Sequence, residues 1–291
     1  MPMNNRILRP LARPLLLDAV PGAAAAYSLR QLSNSYTGPV VTVRRSSDDA
    51  EEDFKASEID DGTLAAWVGS GNDGFVYRWW DQSGNANHAV APADANEPKI
   101  VDAGVVITDE GFPAIRFDET PRYLDCGNIG IGDVYSLFVL FRTLTDTSPQ
   151  HNIVSTYQSS TGGADGMQFV VLPLVDRFAV TVGNTSGSSI SAVKTDYGFV
   201  TEETLMSAFI NGNTASIDLY RNGASLASST GSAVTSIAHG DFWIGQAEIY
   251  VTIAVLPERA LNGFVKEVIV YPSNMASQRE RIEGDMAWAW S

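Results

Sequence analysis

Five aromatic residues, Tyr77, Trp79, Trp80, Trp243 and Tyr250, are of a type suited to recognition chemistry. Sugar rings present apolar C–H faces and outward hydroxyls, so a glycan site sets a flat aromatic ring beside a few polar groups. Trp79 and Trp80 are neighbours on a segment that reads as a strand. Their side chains therefore point to opposite faces, one into the core and one outward. Trp288 and Trp290 fall on a helical C-terminal stretch and are expected to lock it onto the body.

Other chemistries find little support. His88, His151 and His239 are far apart in sequence, show no ligand spacing, and are expected in turns or on the surface. No GxSxG elbow and no phosphate-binding loop occurs, and the glycine-rich GSGNDG (69–74) follows a helix end rather than opening one, as a plain loop does. Asp81, Asn85 and Asn87 are weak calcium candidates that could act together with backbone carbonyls; the plainer reading is that Asp81 caps its own turn. The single cysteine, Cys126, excludes an internal disulfide and reads as a small core residue. No catalytic residue is assigned.

The elements that must position these side chains are short and extended. Pro39-VVTVRRS, FVYRWW, AIRF, YLDC, YSLFVLFRT, HNIVSTY, MQFVVLPLV, FAVTVG, TLMSAFI, ASIDLYRNG, DFWIGQ and VKEVIVY are strand-like runs with turn punctuation and no helices alternating between them. That pattern predicts an antiparallel β-sandwich. Residues 137–141 are continuously apolar, as in a strand buried on both faces. Ala215, Ile217 and Leu219 alternate with polar neighbours, and Asn222-Gly223 then signals a hairpin. IDDGTLAAWVG suggests one short helix capped by Asp60 or Asp61, residues 48–53 (DDAEED) a solvated loop, and the end a helix from about Ala276 with Ile282, Met286 and Trp290 on one face.

Charge narrows the partners. The chain has 291 residues and a net charge of −15; residues 1–17 hold three arginines and no acid, which leaves 16 Lys+Arg against 34 Asp+Glu beyond them, a balance of −18. A body so acidic repels nucleic acid and anionic membranes, and no apolar run approaches the roughly 18 residues of a membrane span. In the N-terminal stretch Pro10 and Pro14 break any helix, while Arg6, Ile7, Leu8, Arg9, Leu11, Arg13, Leu15, Leu16 and Leu17 form a cationic, apolar series. Residues 1–26 are thus expected to be an extended arm that orders on a partner, with residues 27–291 as one domain. On this expectation, deleting residues 1–22 leaves the body folded. The alternative is a cleaved secretory signal ending near residues 25–27.

Several stretches resemble known families. GFVKEVIVYPSNMASQRERIEGDMAWAW, and IDLYRNGASLAS with DFWIGQ, resemble the closing segments of laminin-G-like, concanavalin A-like domains. YSLRQLSNSYTGPVVTVRRSSDDAEEDF and WWDQSGNANHAV resemble the opening of the catalytic domain of fungal α-L-arabinofuranosidase B. The opening NNRILRPLARP looks like the short leader of such domains in tailed-phage virion proteins.

The resemblance implies a concanavalin A-like jelly roll with a C-terminal helix, carried on a virion as a tail, fibre or capsid decoration component. It would dock on other virion proteins through its arm, form a homo-oligomer, and display a surface for host glycans. The alternative it implies is a secreted carbohydrate-binding protein or arabinofuranosidase-like glycosidase. The fungal enzymes carry a vicinal cysteine pair before an Asp-aromatic-Gly-Asn segment. The comparable stretch here, residues 123–128 (YLDCGN), has one cysteine after its aspartate, and GMQFVVLPLV (166–175) has no carboxylate. A retaining glycosidase needs two carboxyl groups about 5 Å apart, so a non-enzymatic protein is expected.

Overall fold

The computed structural model describes residues 13–118, 120, 122–144, 150–156, 158–160, 163–184, 186–196, 202–237, 239–247 and 260–291. Two antiparallel sheets face each other. The front sheet runs from the edge strand Glu51–Phe54 through Val41–Arg45, Gly74–Trp79, Ala89–Val90, Leu124–Asp125, Trp243–Ile244, His151–Ser155, Gly163–Leu172 and Arg177–Gly183 to Ser189–Thr195. The back sheet runs from Ala224–Thr230 through Ser216–Arg221, Thr204–Asn211 and Val134–Thr143 to Asn262–Tyr271, which pairs onward with both Ala25–Ser28 and Ile115–Asp118. Lys99–Asp102 bridges Ile115–Asp118 to Gly74–Trp79, so the sheets join along one side.

Strand alternation builds the core. On the front sheet Ile244, Val154, Phe169, Val180 and Ala192 face inward; on the back sheet Leu219, Ala208, Leu137, Val270 and Ala25 meet them, and all are buried. The outer side of the back sheet is buried too, because the helix Arg279–Ala289 and the N-terminal residues cover it. Ser207 Oγ donates to Glu283 at 2.7 Å, and the Trp290 indole donates to Glu267 at 2.8 Å. This third layer explains why residues 137–141 are apolar without interruption. Ile282, Met286 and Trp290 are buried as their spacing predicts, and Cys126 is a core residue, but Trp288 is 67% exposed and meets the Arg13 guanidinium, 5.1 Å from its ring centre, rather than the core. The hairpin at Asn222-Gly223 has positive φ at both residues (48° and 82°) and joins Arg221 to Ala224 directly. These are the requirements of a type I′ turn.

Three expectations need correction. The acidic run does not stay a loop: Glu51–Phe54 is an edge strand paired with Val41–Arg45, and its charges suit an edge that must not recruit another strand. The helix expected over IDDGTLAAWVG is present as Thr63–Val68, but Gly62 and not an aspartate is its N-cap residue, the Asp61 carboxylate accepting from the Thr63 N–H at 3.0 Å, and a second short helix, Ala56–Asp60, precedes it.

The third concerns the arm, whose described part is not extended from the body. Leu16–Ala19 forms a helical turn, Leu16, Leu17 and Val20 join the core, the Tyr271 hydroxyl donates to the Val20 carbonyl at 2.8 Å, and Ala25–Ser28 is a sheet strand. Arg13 meets Asp285 at 3.1 Å, and Leu15 is half-buried. The hydrophobic drive that was expected to find a partner finds the back sheet instead. Arg6, Ile7, Leu8, Arg9 and Leu11 lie outside the described residues. Deleting residues 1–22 would therefore remove part of the core. Leu16→Ala, at a site with 0% exposure, is expected to lower the unfolding free energy by about 2–5 kcal/mol. Urea denaturation would show this as a reduced midpoint at unchanged slope.

Candidate functional site

Directly paired residues on neighbouring strands share a face, and the register sets one continuous row across the outside of the front sheet. It runs Arg78, Val90, Asp125, Trp243, Ser155, Gln168, Thr181, Ser191. All but Ser155 are partly or fully exposed, and the third layer lies on the other sheet. At about 4.8 Å per strand, Arg78 stands roughly 10 Å from Asp125 and roughly 15 Å from Trp243. That span suits two or three linked sugar rings.

The middle of the row holds an aromatic platform. Tyr123 lies two residues before Asp125 and so on the same side; its ring stacks on Trp243 with centroids 4.7 Å apart and planes at 24°. The Asp125 carboxylate accepts from the Gly127 N–H at 2.8 Å. Burial pushes its pKa up, and the nearby charge of Asp241 adds to the effect. Gly245 ends the Trp243–Ile244 strand with φ of +91°, and a Cβ there would lie 2.4 Å from the Phe117 ring, so the turn that sets the platform accepts only glycine.

A second aromatic group sits at the Arg78 end. A bulge between Thr42 and Val43 leaves Tyr77 unpaired with the neighbouring strand, so Tyr77 and Arg78, consecutive in sequence, are both half-exposed. The Arg78 guanidinium lies 4.8 Å from the Trp80 ring centre and 5.4 Å from that of Tyr77. Trp80 is fixed by its indole N–H donating to Thr42 Oγ1 at 2.9 Å, and its ring meets His88 edge-on at 4.5 Å.

Of the residues singled out from sequence, Tyr77, Trp80 and Trp243 lie on this surface. Trp79 does not. It is the inward neighbour of Trp80, 0% exposed, with its ring centroid 5.8 Å from that of Tyr27, and it belongs to the core. Tyr250 lies outside the described residues. Arg78, Tyr123, Asp125 and Gln168 are the members that sequence reasoning missed; the spacing of Tyr123 and Asp125 by two was the available sign.

The Asp81 turn has a different role. Asp81 is 2% exposed; one carboxylate oxygen accepts from the Ala26 and Ser83 N–H groups, both at 2.8 Å, and the other from Ser83 Oγ at 2.7 Å and the Asn87 N–H at 3.1 Å. Asn85 and Asn87 donate to the carbonyls of Ala23 and Ala24. An oxygen shell for calcium points acceptors at one centre, whereas here donors surround the carboxylate. The three residues instead fasten the turn to Ala25–Ser28, as the plainer reading of Asp81 held. Among the described residues no group of three or more His, Cys, Asp or Glu side chains could hold a metal ion.

The histidines are built into the fold. His151 is fully buried on a front-sheet strand, not at the surface as expected, with Nδ1 near the Ala260 carbonyl at 3.1 Å. His239 bonds Thr156 Oγ1 at 2.7 Å and the Gly132 carbonyl at 3.2 Å, and burial lowers its pKa to about 4. A raised carboxyl such as Asp125 is what a general acid requires. The next outward positions along its row, beyond Trp243, are Ser155 and Gln168, which carry no carboxylate, and the carboxyl that does lie near Asp125 is the exposed Asp241, two residues before Trp243.

No protein-family model matches the chain, and no curated protein matches it in sequence. Solved structures do. An arabinofuranosidase complexed with arabinofuranosyl-α-1,2-xylobiose shares the fold with a TM-score of 0.59 at 15% identity, over 94% of this chain and 64% of its own. A GH54 α-L-arabinofuranosidase soaked with a cyclic sulfate inhibitor gives 0.57 at 13% identity, over 92% of this chain and 63% of its own. A Ruminococcus gnavus IT-sialidase CBM40 bound to α2,3-sialyllactose aligns over 51% of this chain and 80% of its own, at 12% identity and a TM-score of 0.43. The chain thus spans less than two thirds of the arabinofuranosidase structures it matches. At these identities the likeness is one of architecture: the chain is an antiparallel all-β sandwich of the same fold as these arabinofuranosidases.

Proposed function

We propose that this chain is a carbohydrate-binding β-sandwich that holds a glycan on the outer face of its front sheet and performs no glycoside cleavage. The observation that carries this reading is the half-exposed Trp243 ring, backed by the stacked and buried Tyr123 and set beside Asp125 in a row of partly exposed polar side chains. A ring face flanked by hydroxyl, amide and carboxyl groups is the chemistry a sugar requires. A glycan array together with a hydrolysis assay on 4-nitrophenyl α-L-arabinofuranoside tests both halves. Array binding without nitrophenol release is expected. Release that disappears in Asp125→Asn would establish the hydrolase reading instead, and a blank array would remove the binding one.

The setting we infer is the virion of a tailed phage, with copies of the chain assembled as a homo-oligomer. What supports it is the resemblance of NNRILRPLARP to virion-protein leaders, and within it Arg6, Ile7, Leu8, Arg9 and Leu11 are the residues that would dock. The burial of Leu16, Val20 and Ala25 counts against the secreted alternative, because a cleavage near residues 25–27 would strip core residues and a strand from the fold. Mass spectrometry of the natural protein is expected to find residues 16–26 retained in the mature chain.

A further inference from the structure

Building on the front face as a glycan surface, we propose that Arg78 makes it selective for a sugar bearing a carboxylate, a uronic-acid type of ring, over a neutral one. Arg78 stands apart from its fellow arginines. Arg30, Arg44, Arg45, Arg122, Arg142 and Arg279 are partly buried and each meets a carboxylate. Arg78 is partly buried in a chain of net charge −15, yet its side chain has no hydrogen bond or ion pair with any described residue, its Nε being buried without an acceptor among them. Its contacts are the rings of Tyr77 and Trp80.

Such a group is costly to leave alone. A buried donor without a partner forfeits its hydration, and an acidic protein has carboxylates to spare for pairing. Stacking on ring faces occupies the flat sides of a guanidinium and leaves its edge donors free, and that planar fork matches a carboxylate with two parallel bonds. The same rings that hold the cation give a sugar its apolar contact. A single cation balances a single negative charge, while the acidic body repels polyanions. The recognised unit is therefore one acid-bearing ring at the Arg78 end, with neutral rings reaching toward Tyr123 and Trp243.

The test uses the full chain on a printed panel of uronic-acid oligosaccharides, each beside its carboxyl-reduced counterpart. Binding to the acidic form is expected to be about 10- to 100-fold tighter, the size of a charge-assisted bond, and the preference should shrink as salt rises. Arg78→Gln is expected to erase the preference between the acidic and the reduced forms. Arg78→Lys, which keeps the charge and loses the fork, should retain part of it and serves where the glutamine variant melts early. Equal binding of both forms by the natural chain, or a preference that survives Arg78→Gln, overturns the role of Arg78 and leaves the glycan face standing. No binding to acidic or neutral members overturns the face itself.

Discussion

Replacing Trp243 by alanine is expected to weaken glycan binding by about 30-fold or more, since central aromatic anchors commonly carry 2 kcal/mol or more of an interface. Trp243 is half-exposed and its ring is stacked on Tyr123, so the substitution removes both the platform and the support that holds the second ring flat. The fold should tolerate the loss. The inward partner on the same strand, Ile244, stays in the core between Leu124 and Val154, and the lost stacking is worth about 1 kcal/mol. Calorimetric titration with an array-positive glycan, run beside thermal denaturation, separates the two effects. Trp288→Ala is the control: this indole is 67% exposed on the opposite layer, and binding should not change. Unaltered affinity in Trp243→Ala would place the site elsewhere.

Local signals in the sequence were dependable where one short segment decides its own geometry. Asn222-Gly223 needs two positive φ values and has them, and the spacing of Ile282, Met286 and Trp290 marks a buried helix face. What stayed hidden was decided by distant partners. Residues 23–26 are all alanine, with little strand preference, yet Ala25 and Ala26 open a strand because residues 262–271 offer a free edge beside them. Leu16 and Leu17 read as an apolar arm because nothing nearby in sequence reveals the uncovered side of the back sheet.

The site was half legible for the same reason. Aromatic type picked out Trp80 and Trp243, but choosing between Trp79 and Trp80 required knowing which face is core. The bulge that brings Tyr77 and Arg78 to one side is invisible without the register of the neighbouring strand. Tyr123 and Asp125 reach Trp243 across more than a hundred residues, through strands only two residues long whose single trace in the sequence is the spacing of Tyr123 and Asp125 by two.

The largest stability loss is expected at Glu267. Its carboxylate, 0% exposed, accepts from Ser28 Oγ at 3.0 Å, from Arg30 at 2.8 and 2.9 Å and from the Trp290 indole at 2.8 Å. Arg30 also reaches Asp285 at 2.7 Å, which in turn meets Arg13 at 3.1 Å. One buried acid thus ties the last sheet strand to the N-terminal segment and to the C-terminal helix. Glu267→Ala leaves the guanidinium and the indole N–H facing a gap, at a cost of about 3–5 kcal/mol, a large part of the 5–15 kcal/mol that holds a typical domain together. Glu267→Gln keeps the shape and some acceptors and should lose less. The informative variant is the double replacement Arg30→Met with Glu267→Met: removing both charges should recover much of what the alanine variant loses, because the penalty lies in the orphaned partner more than in the missing pair. If single and double variants melt together, the third layer is held by Leu16, Ile282 and Met286 alone, and the charge network only fixes how that layer is oriented on the sheet.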